Sequence, residues 1–386
     1  MNRTVSDTAP LPAPLAPRER FLSLDVFRGL TILLMIVVNT AGPGAESYRQ
    51  LKHAPWFGFT LADLVFPSFL FAVGTAMSFS LRRDAPAGPF LRQVARRGAL
   101  MFLLGFLMYW YPFVAAAPDG GWAIKPLADT RIPGVLQRIA LCYVAAAIAI
   151  RWLDVRGLVL LSAALLIGYW LVLTGLSGPG LAYDKMGNAG TRLDLWLIGP
   201  RHLYRRDHGF DPEGLLGTMP AIVNVLGGYL AGRFVRLRGK TRRTVAGLAL
   251  AGAGLVALSA LWARWMPIAK KLWTGSYVLL TIGLALIALA ALVEMVERRG
   301  WRRGTRIFTI PGRNPLAIYL FSELFVMTLA LIPVGPDMHV YEWVGIAMFQ
   351  QIAPGPAGSL MCAVAYTALC WLFAWMLDRR GLILRV

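Results

Sequence analysis

The sequence predicts an all-α polytopic membrane protein, a bundle of about ten transmembrane helices, and three observations lead there. Of the 386 residues, 57% are hydrophobic and only 15% are charged, a combination that soluble domains rarely show. Apolar runs long enough to cross a bilayer recur roughly every 25–40 residues along the chain. These runs are too long for the strands of a membrane barrel and lack the strict alternation that such strands carry.

Residues 1–20, MNRTVSDTAPLPAPLAPRER, are polar and proline-rich. They lack the apolar core of a signal peptide and read as a disordered cytosolic tail. Residues 21–386 read as a single membrane domain. Its spans are expected near 22–40, 60–81, 98–115, 133–151, 158–176, 216–234, 245–263, 275–293, 315–332 and 358–377. The stretch 338–352 fits a re-entrant or interfacial helix, or an eleventh span.

The formal charge of +19 is explained by where the Lys and Arg lie. With the N-terminus in the cytosol, the inner segments hold 24 of them and the longer outer segments 12. The blocks RRDAPAGPFLRQVARR, RFVRLRGKTRR and ERRGWRRGTR set the orientation by the positive-inside rule. Membrane insertion accounts for the basic balance, so no nucleic-acid partner is expected. Cys142, Cys362 and Cys370 all sit in apolar runs with neither disulfide-framework nor zinc spacing, and no metal is expected.

This orientation puts His53, His202, His208 and His339 on the outer side. His53 precedes the second span within KHAPW, and Asp63 lies about one turn inside it. An imidazole titrates near neutrality and takes a proton from an attacking amine or alcohol. The plain alternative is a loop histidine at headgroup level beside interfacial Trp56. An acid as deep as Asp63 needs a partner. It either caps the helix start or orients the His53 imidazole, which requires residues 53–59 to fold back over the helix mouth. Asn39, at the outer end of the first span, is placed either to donate to a carbonyl or to bond a neighbouring helix. Asp25 and Arg28 are three apart and fit a structural ion pair.

Further polar groups interrupt apolar sequence. Arg138 follows RIPGVLQ, Gly312-Arg313-Asn314-Pro315 opens the ninth span, and Glu323 lies within it. Arg138 and Glu323 either pair with other groups or line a polar cavity. Asp211 and Glu213 lead into the sixth span. There the helix dipole alone explains them, or they meet an amino-sugar acceptor. The loop 177–215 is polar and Gly-rich, and is long enough to lid an outer cavity.

Six stretches together resemble one family: LDVFRGLTILLMIVVN (24–39), KHAPWFGFTLADLVFPSFLFAVG (52–74), RIPGVLQRIALCY (131–143), DPEGLLGTMPAIVNVLGG (211–228), KKLWTGSYVL (270–279) and GRNPLAIY (312–319). In order and approximate spacing they look like the heparan-alpha-glucosaminide N-acetyltransferase family of transmembrane acyltransferases. The resemblance implies transfer of an acetyl group from cytosolic acetyl-CoA to the amine of a glucosamine on the far side. It places the active-site histidine at His53, with Asn39 and Asp63 beside it, and implies a homodimer. On that reading Arg138, Arg313 and Asn314 are the candidate acetyl-CoA contacts. Asp211, Glu213, Trp56 and Glu323 are the candidate acceptor contacts. A bacterial inner-membrane location follows from the bacterial type of the chain, which lacks the extra N-terminal lumenal region and first span of the animal lysosomal members. Two other functions compete: a permease for N-acetylglucosamine, and an O-acyltransferase for an envelope polysaccharide.

Overall fold

The computed structural model describes residues 21–116, 121–207 and 209–384. The N-terminal tail and His208 therefore lie outside the described residues. The chain is built from helices that alternate between two ends of one bundle. These are α1 (Leu22–Asn39), α2 (Leu61–Ser80), α3 (Ala87–Trp110), α4 (Val135–Trp152), α5 (Val155–Leu176), the short α6 (Ala189–Leu197), α7 (Leu215–Arg238), α8 (Arg242–Trp262) and α9 (Gly275–Leu292). After a π-helical turn, Val293–Arg298, come α10 (Thr305–Arg313), α11 (Pro315–Leu329), α12 (Val340–Trp343), α13 (Gln350–Ile352) and α14 (Pro356–Arg379).

Among the described residues, eight helices are long and apolar enough to cross a membrane. The other two expected spans are also helical and also join the two ends. α3 starts earlier than the sequence suggested, because Phe90-Leu-Arg-Gln-Val-Ala-Arg-Arg97 continues the helix instead of forming a loop. It stops at Trp110, since Pro112 follows and the residue before a proline is driven out of the helical region. The ninth span is α11, and it is preceded by α10, which the apolar pattern does not reveal. The break between them falls at Asn314, before Pro315. Tyr111 beyond α3 and Thr328 near the end of α11 share a hydrogen bond of 2.8 Å, so both helices finish at the same end. A two-stranded antiparallel hairpin, β1 (Val114–Ala116) with β2 (Trp122–Ile124), also escaped the sequence reading.

Residues 338–352 form short helical pieces and do not make an eleventh span. α11 ends and α14 begins at one end of the bundle, and α12, a π-helical turn (Val344–Phe349) and α13 lie between them. Gly345 there packs against Pro43.

Both ends are tied across the bundle. At one, loops bond to loops: Gly58 N donates to the Ile268 carbonyl at 2.9 Å, Ile132 N to that of His202 at 2.9 Å, and Gly42 N to that of Ser359 at 3.1 Å. At the other, charged side chains make the ties. Arg83 bonds the Leu153 carbonyl at 2.8 Å, Lys240 pairs with Glu297 at 3.1 Å, and Arg313 with Asp378 at 2.5 Å. Asp25 and Arg28 pair here at 2.6 Å, as their spacing suggested.

The seam between α2 and α7 fixes the depth of Asp63. A Cβ added at Gly228 would lie 1.9 Å from the Phe71 carbonyl oxygen, and one at Gly74 would lie 1.9 Å from that of Val225. Backbones approach this closely only where side chains are missing, the usual device for helix contact in lipid. Gly228→Ala is expected to force the helices apart and cost about 1–3 kcal/mol. Gly254→Ala on α8, where an added Cβ meets nothing within 4 Å, is expected to leave the melting temperature in detergent unchanged or slightly raised. Equal effects of the two variants on melting would contradict a tight α2–α7 seam.

Candidate active site

Three loops at the same end build the site. The first is the 40–60 connection. Thr60 precedes α2, and Asp63 in its first turn forms a capping box with it: Asp63 Oδ2 accepts from Thr60 N at 3.0 Å and Thr60 Oγ1 at 3.0 Å. The same oxygen accepts from Ala54 N at 3.1 Å. That bond folds the 53–59 segment back over the helix mouth. The second carboxylate oxygen, Oδ1, is 3.0 Å from His53 Nδ1. Helix capping and imidazole orientation are thus both realised, one by each oxygen.

The second loop is 263–274, which brings Lys270 to His53. It is pinned by Trp273, which is 1% exposed, adopts φ +55°, stacks edge-on against Phe66 and donates Nε1–H to Asn224 Oδ1 at 3.1 Å. Tyr169 on α5 bonds the Leu272 carbonyl, and Tyr277 reaches the Asp63 carbonyl at 2.6 Å. Held this way, Lys270 Nζ lies 2.9 Å from His53 Nε2 and 3.0 Å from Nδ1. An ionised carboxylate only accepts, so Asp63 keeps the proton on Nδ1. Lys270 Nζ, nearly equidistant from the two ring nitrogens, lies against the ring and leaves the outward lone pair of Nε2 facing away from it.

The third loop, 199–214, closes the rim. Asp211 is consumed in its construction: Arg131 grips it through Nε at 2.9 Å and through a terminal nitrogen at 2.5 Å, and it also accepts from Tyr204 N and Glu213 N. Arg131 reaches Glu213 as well, at 2.5 Å, and lies over the Tyr109 and Tyr204 rings. Asp207 is shared by Lys185 and Lys271.

Between these loops lies a cavity of about 460 Å³. Asn39, His53, Arg131, Asp207, Glu213, Lys270 and Lys271 form its polar wall, and Met35, Val38, Val65 and Phe66 its apolar floor. His53 is 41% exposed to it, whereas Asp63 is fully buried behind. Burial, together with the Lys270 charge, lowers the His53 pKa from its usual 6.5 despite the hydrogen bond to Asp63. Burial also pushes the Lys270 ammonium down to about 8, against the pull of Glu213 and Asp63. Burial would raise Glu213, but Arg131, Arg138 and Lys270 outweigh it and hold the carboxyl below its usual value. The site thus presents a neutral imidazole among fixed charges.

The residues singled out in the sequence divide accordingly. His53, Asp63, Asn39 and Glu213 meet at the cavity. Glu323 lies behind it and reaches the site only by accepting from the Asn39 amide at 3.1 Å. Trp56 donates to the Tyr183 carbonyl and packs on Phe210, away from the cavity. Asp211 is an architectural ion pair. Arg138, 1% exposed, lies over Trp273 at 4.8 Å and bonds the Gly214 carbonyl. Arg313 and Asn314 are at the opposite end, where the Asn314 amide bonds both Leu382 and Leu384. Lys270 and Arg131 were not among the candidates. The run Lys270-Lys271-Leu-Trp-Thr-Gly, two cations just before a helix, was the available signal for Lys270.

The sequence matches the family described as an acyltransferase domain over residues 21–375. The chain belongs to this acyltransferase family, in keeping with its resemblance to the heparan-alpha-glucosaminide N-acetyltransferases. It is 30% identical to the human heparan-alpha-glucosaminide N-acetyltransferase over 369 residues, covering 81% of this chain and 53% of the relative. It is 30% identical to the mouse protein of that name over 379 residues, covering 82% and 56%. The chain therefore spans little more than half the length of these relatives.

The charge of Lys270 beside the ring leads to a titration prediction. Removing a neighbouring cation makes the imidazolium easier to form, so Lys270→Met is expected to raise the His53 pKa. Histidine-labelled NMR of the purified protein, with His53 assigned by its absence in His53→Gln, measures this directly. An unchanged or lowered pKa in Lys270→Met would count against the contact.

Proposed function

We propose that the protein is a transmembrane N-acetyltransferase. It takes an acetyl group from acetyl-CoA entering on the cytosolic side and delivers it to the amine of a glucosamine-type sugar at the opposite membrane face. The observation that carries this reading is His53 held by Asp63 at 3.0 Å in an open cavity, within a chain of an acyltransferase family. The positive-inside rule puts the N-terminus and the arginine-rich end in the cytosol and the His53 end outside, at the periplasm of a bacterial inner membrane.

In the reaction, the sugar amine attacks the thioester carbonyl carbon, a C–N bond forms, the C–S bond breaks and CoA leaves as the thiol. His53 Nε2 takes the amine proton. In the two-step version the same nitrogen first accepts the acetyl group and then passes it to the amine. Asp63 holds the tautomer that leaves Nε2 free to react and stabilises the imidazolium. Asn39, oriented by Glu323, has a remaining N–H for the carbonyl oxygen as it becomes an oxyanion. Lys270 shifts off the ring when a ligand enters. It then stands beside the reacting centre, where its charge offsets the developing oxyanion or thiolate. Glu213 is the acid on the rim that meets the sugar ammonium before it loses its proton.

The thioester arm reaches the apolar floor of the cavity from below, a distance set by a membrane core of about 30 Å. Support for a wet route comes from α4, where the amide of Gln137, the Tyr143 hydroxyl and two nitrogens of Arg138 are buried without partners among the described residues. Such groups are normally satisfied by water or ligand. Family membership favours acyl transfer over sugar transport.

The test uses the protein in proteoliposomes with labelled acetyl-CoA and glucosamine. Formation of alkali-stable N-acetylglucosamine is expected, with His53→Ala and Asp63→Asn each reducing the rate by at least roughly 10²-fold. Undiminished product with His53→Ala would remove the imidazole from the mechanism. Accumulation of unmodified sugar without acetyl-CoA would make the protein a carrier, and a base-labile product would make it an O-acyltransferase.

A further inference from the structure

At the end opposite His53, the chain forms a second cavity, of about 1230 Å³, between the C-terminal end of α2, the 81–86 loop, α4 and α7. Five arginines line it, Arg82, Arg83, Arg151, Arg233 and Arg236, against one acid, Asp84. Two are anchored by the loop itself: Arg83 bonds the Leu153 carbonyl and Arg151 that of Ala85. The rest of their capacity is unused. Arg151 Nε is buried without a partner, and the side chains of Arg82 and Arg233 make no ion pair or hydrogen bond among the described residues. Topology alone asks for positive charge at this end, and cations suit the C-terminus of α7. Neither effect requires arginines from three elements to converge on one hollow.

A second observation says what the hollow holds. An apolar groove of about 410 Å³ runs between α7, α8 and α9, lined by Leu230, Phe234, Leu248, Ala251, Leu255 and Leu286 among others. Arg233 lines both the groove and the arginine cavity. The two therefore adjoin at Arg233, one apolar along the helices and the other cationic at their ends. An elongated ligand with an anionic head and hydrocarbon tails matches this arrangement, and guanidinium groups suit a phosphodiester by charge and by paired N–H geometry.

We propose that this is a specific site for an anionic glycerophospholipid, with its phosphate among Arg82, Arg151, Arg233 and Arg236 and an acyl chain in the α7–α8–α9 groove. The site is separate from the His53 cavity. The α2–α7 seam between them is closed by the backbone contacts at Gly74 and Gly228, so the lipid tethers the cytosolic ends of α2, α4 and α7 without entering the reaction.

The test is native mass spectrometry and thermal unfolding of the full chain in detergent, with added dioleoylphosphatidylglycerol or dioleoylphosphatidylcholine. The anionic lipid is expected to remain bound and to raise the melting temperature, and the zwitterionic one to do neither. The double variant Arg233→Gln/Arg236→Gln is expected to bind the anionic lipid at least tenfold more weakly. Ala251→Trp, which fills the groove and leaves every arginine in place, is expected to weaken it as well. Equal retention of the two lipids, or retention unaffected by both variants, would overturn the site. So would stabilisation by inorganic pyrophosphate that matches the lipid and is insensitive to Ala251→Trp, which would assign the arginines to a soluble phosphate compound.

Discussion

The site depends on how one carboxylate shares out its hydrogen bonds. Asp63 is fully buried in the first turn of α2, where an unpaired charge would be costly. Its Oδ2 accepts from the backbone of Ala54 and Thr60, so the charge is satisfied by the helix start and by the returning loop together. Only after that loop has been gathered does Oδ1 find His53. The imidazole is placed by the same group that terminates the helix, and the two cannot drift independently. Tyr277 on α9 bonds the carbonyl of the same residue, which couples α2 to the helix that follows Lys270.

From that point outward the charges are arranged in balanced layers. Asp211 is neutralised by Arg131, and Arg131 extends to Glu213. Asp207 is neutralised by Lys185 and Lys271. Buried ion pairs contribute little net stability, so this network is better understood as geometry: it holds the rim loops at fixed spacing around a cavity that stays open. Trp273 does the same from below, with Arg138 stacked beneath it and Phe66 against its edge. Arg138 is thus a cation whose burial supports a loop, and the loop supports Lys270.

The fold was legible because lipid leaves few choices: long apolar runs must be helices, and their succession fixes the bundle. What escaped was what apolarity does not mark. α10 carries Arg306 and Arg313 and is only nine residues long, and it docks on α1 through small residues. α12 and α13 are too short to leave a periodic signature. In the site, Asp63 stood out because an acid inside an apolar run must be explained, and His53 because it is adjacent. Arg138, Arg313 and Asn314 stood out for the same reason, yet their partners are Trp273 and Gly214, Asp378, and the C-terminal tail. A polar residue in a membrane run announces that it has a partner, and sequence alone does not say whether that partner is protein or ligand. Lys270 had the opposite problem. Loop lysines are ordinary, and only the fold brings this one within 3 Å of the ring.

Lys270 also sets the charge around the imidazole. Its Nζ lies 2.9 Å from Nε2 and 3.0 Å from Nδ1, and so holds a positive charge against the imidazole. Its ammonium is destabilised by burial, to a pKa of about 8, so near neutrality it is charged but poorly solvated and gains by finding an anion. If the donor is a thioester, as proposed above, it supplies one only as its carbonyl is attacked or its sulfur departs. On that proposal the cation would shift from the ring to the developing negative charge, an interaction that grows toward the transition state. On the reading proposed above, the contact that holds a positive charge against the imidazole would be exchanged for one with the reacting group.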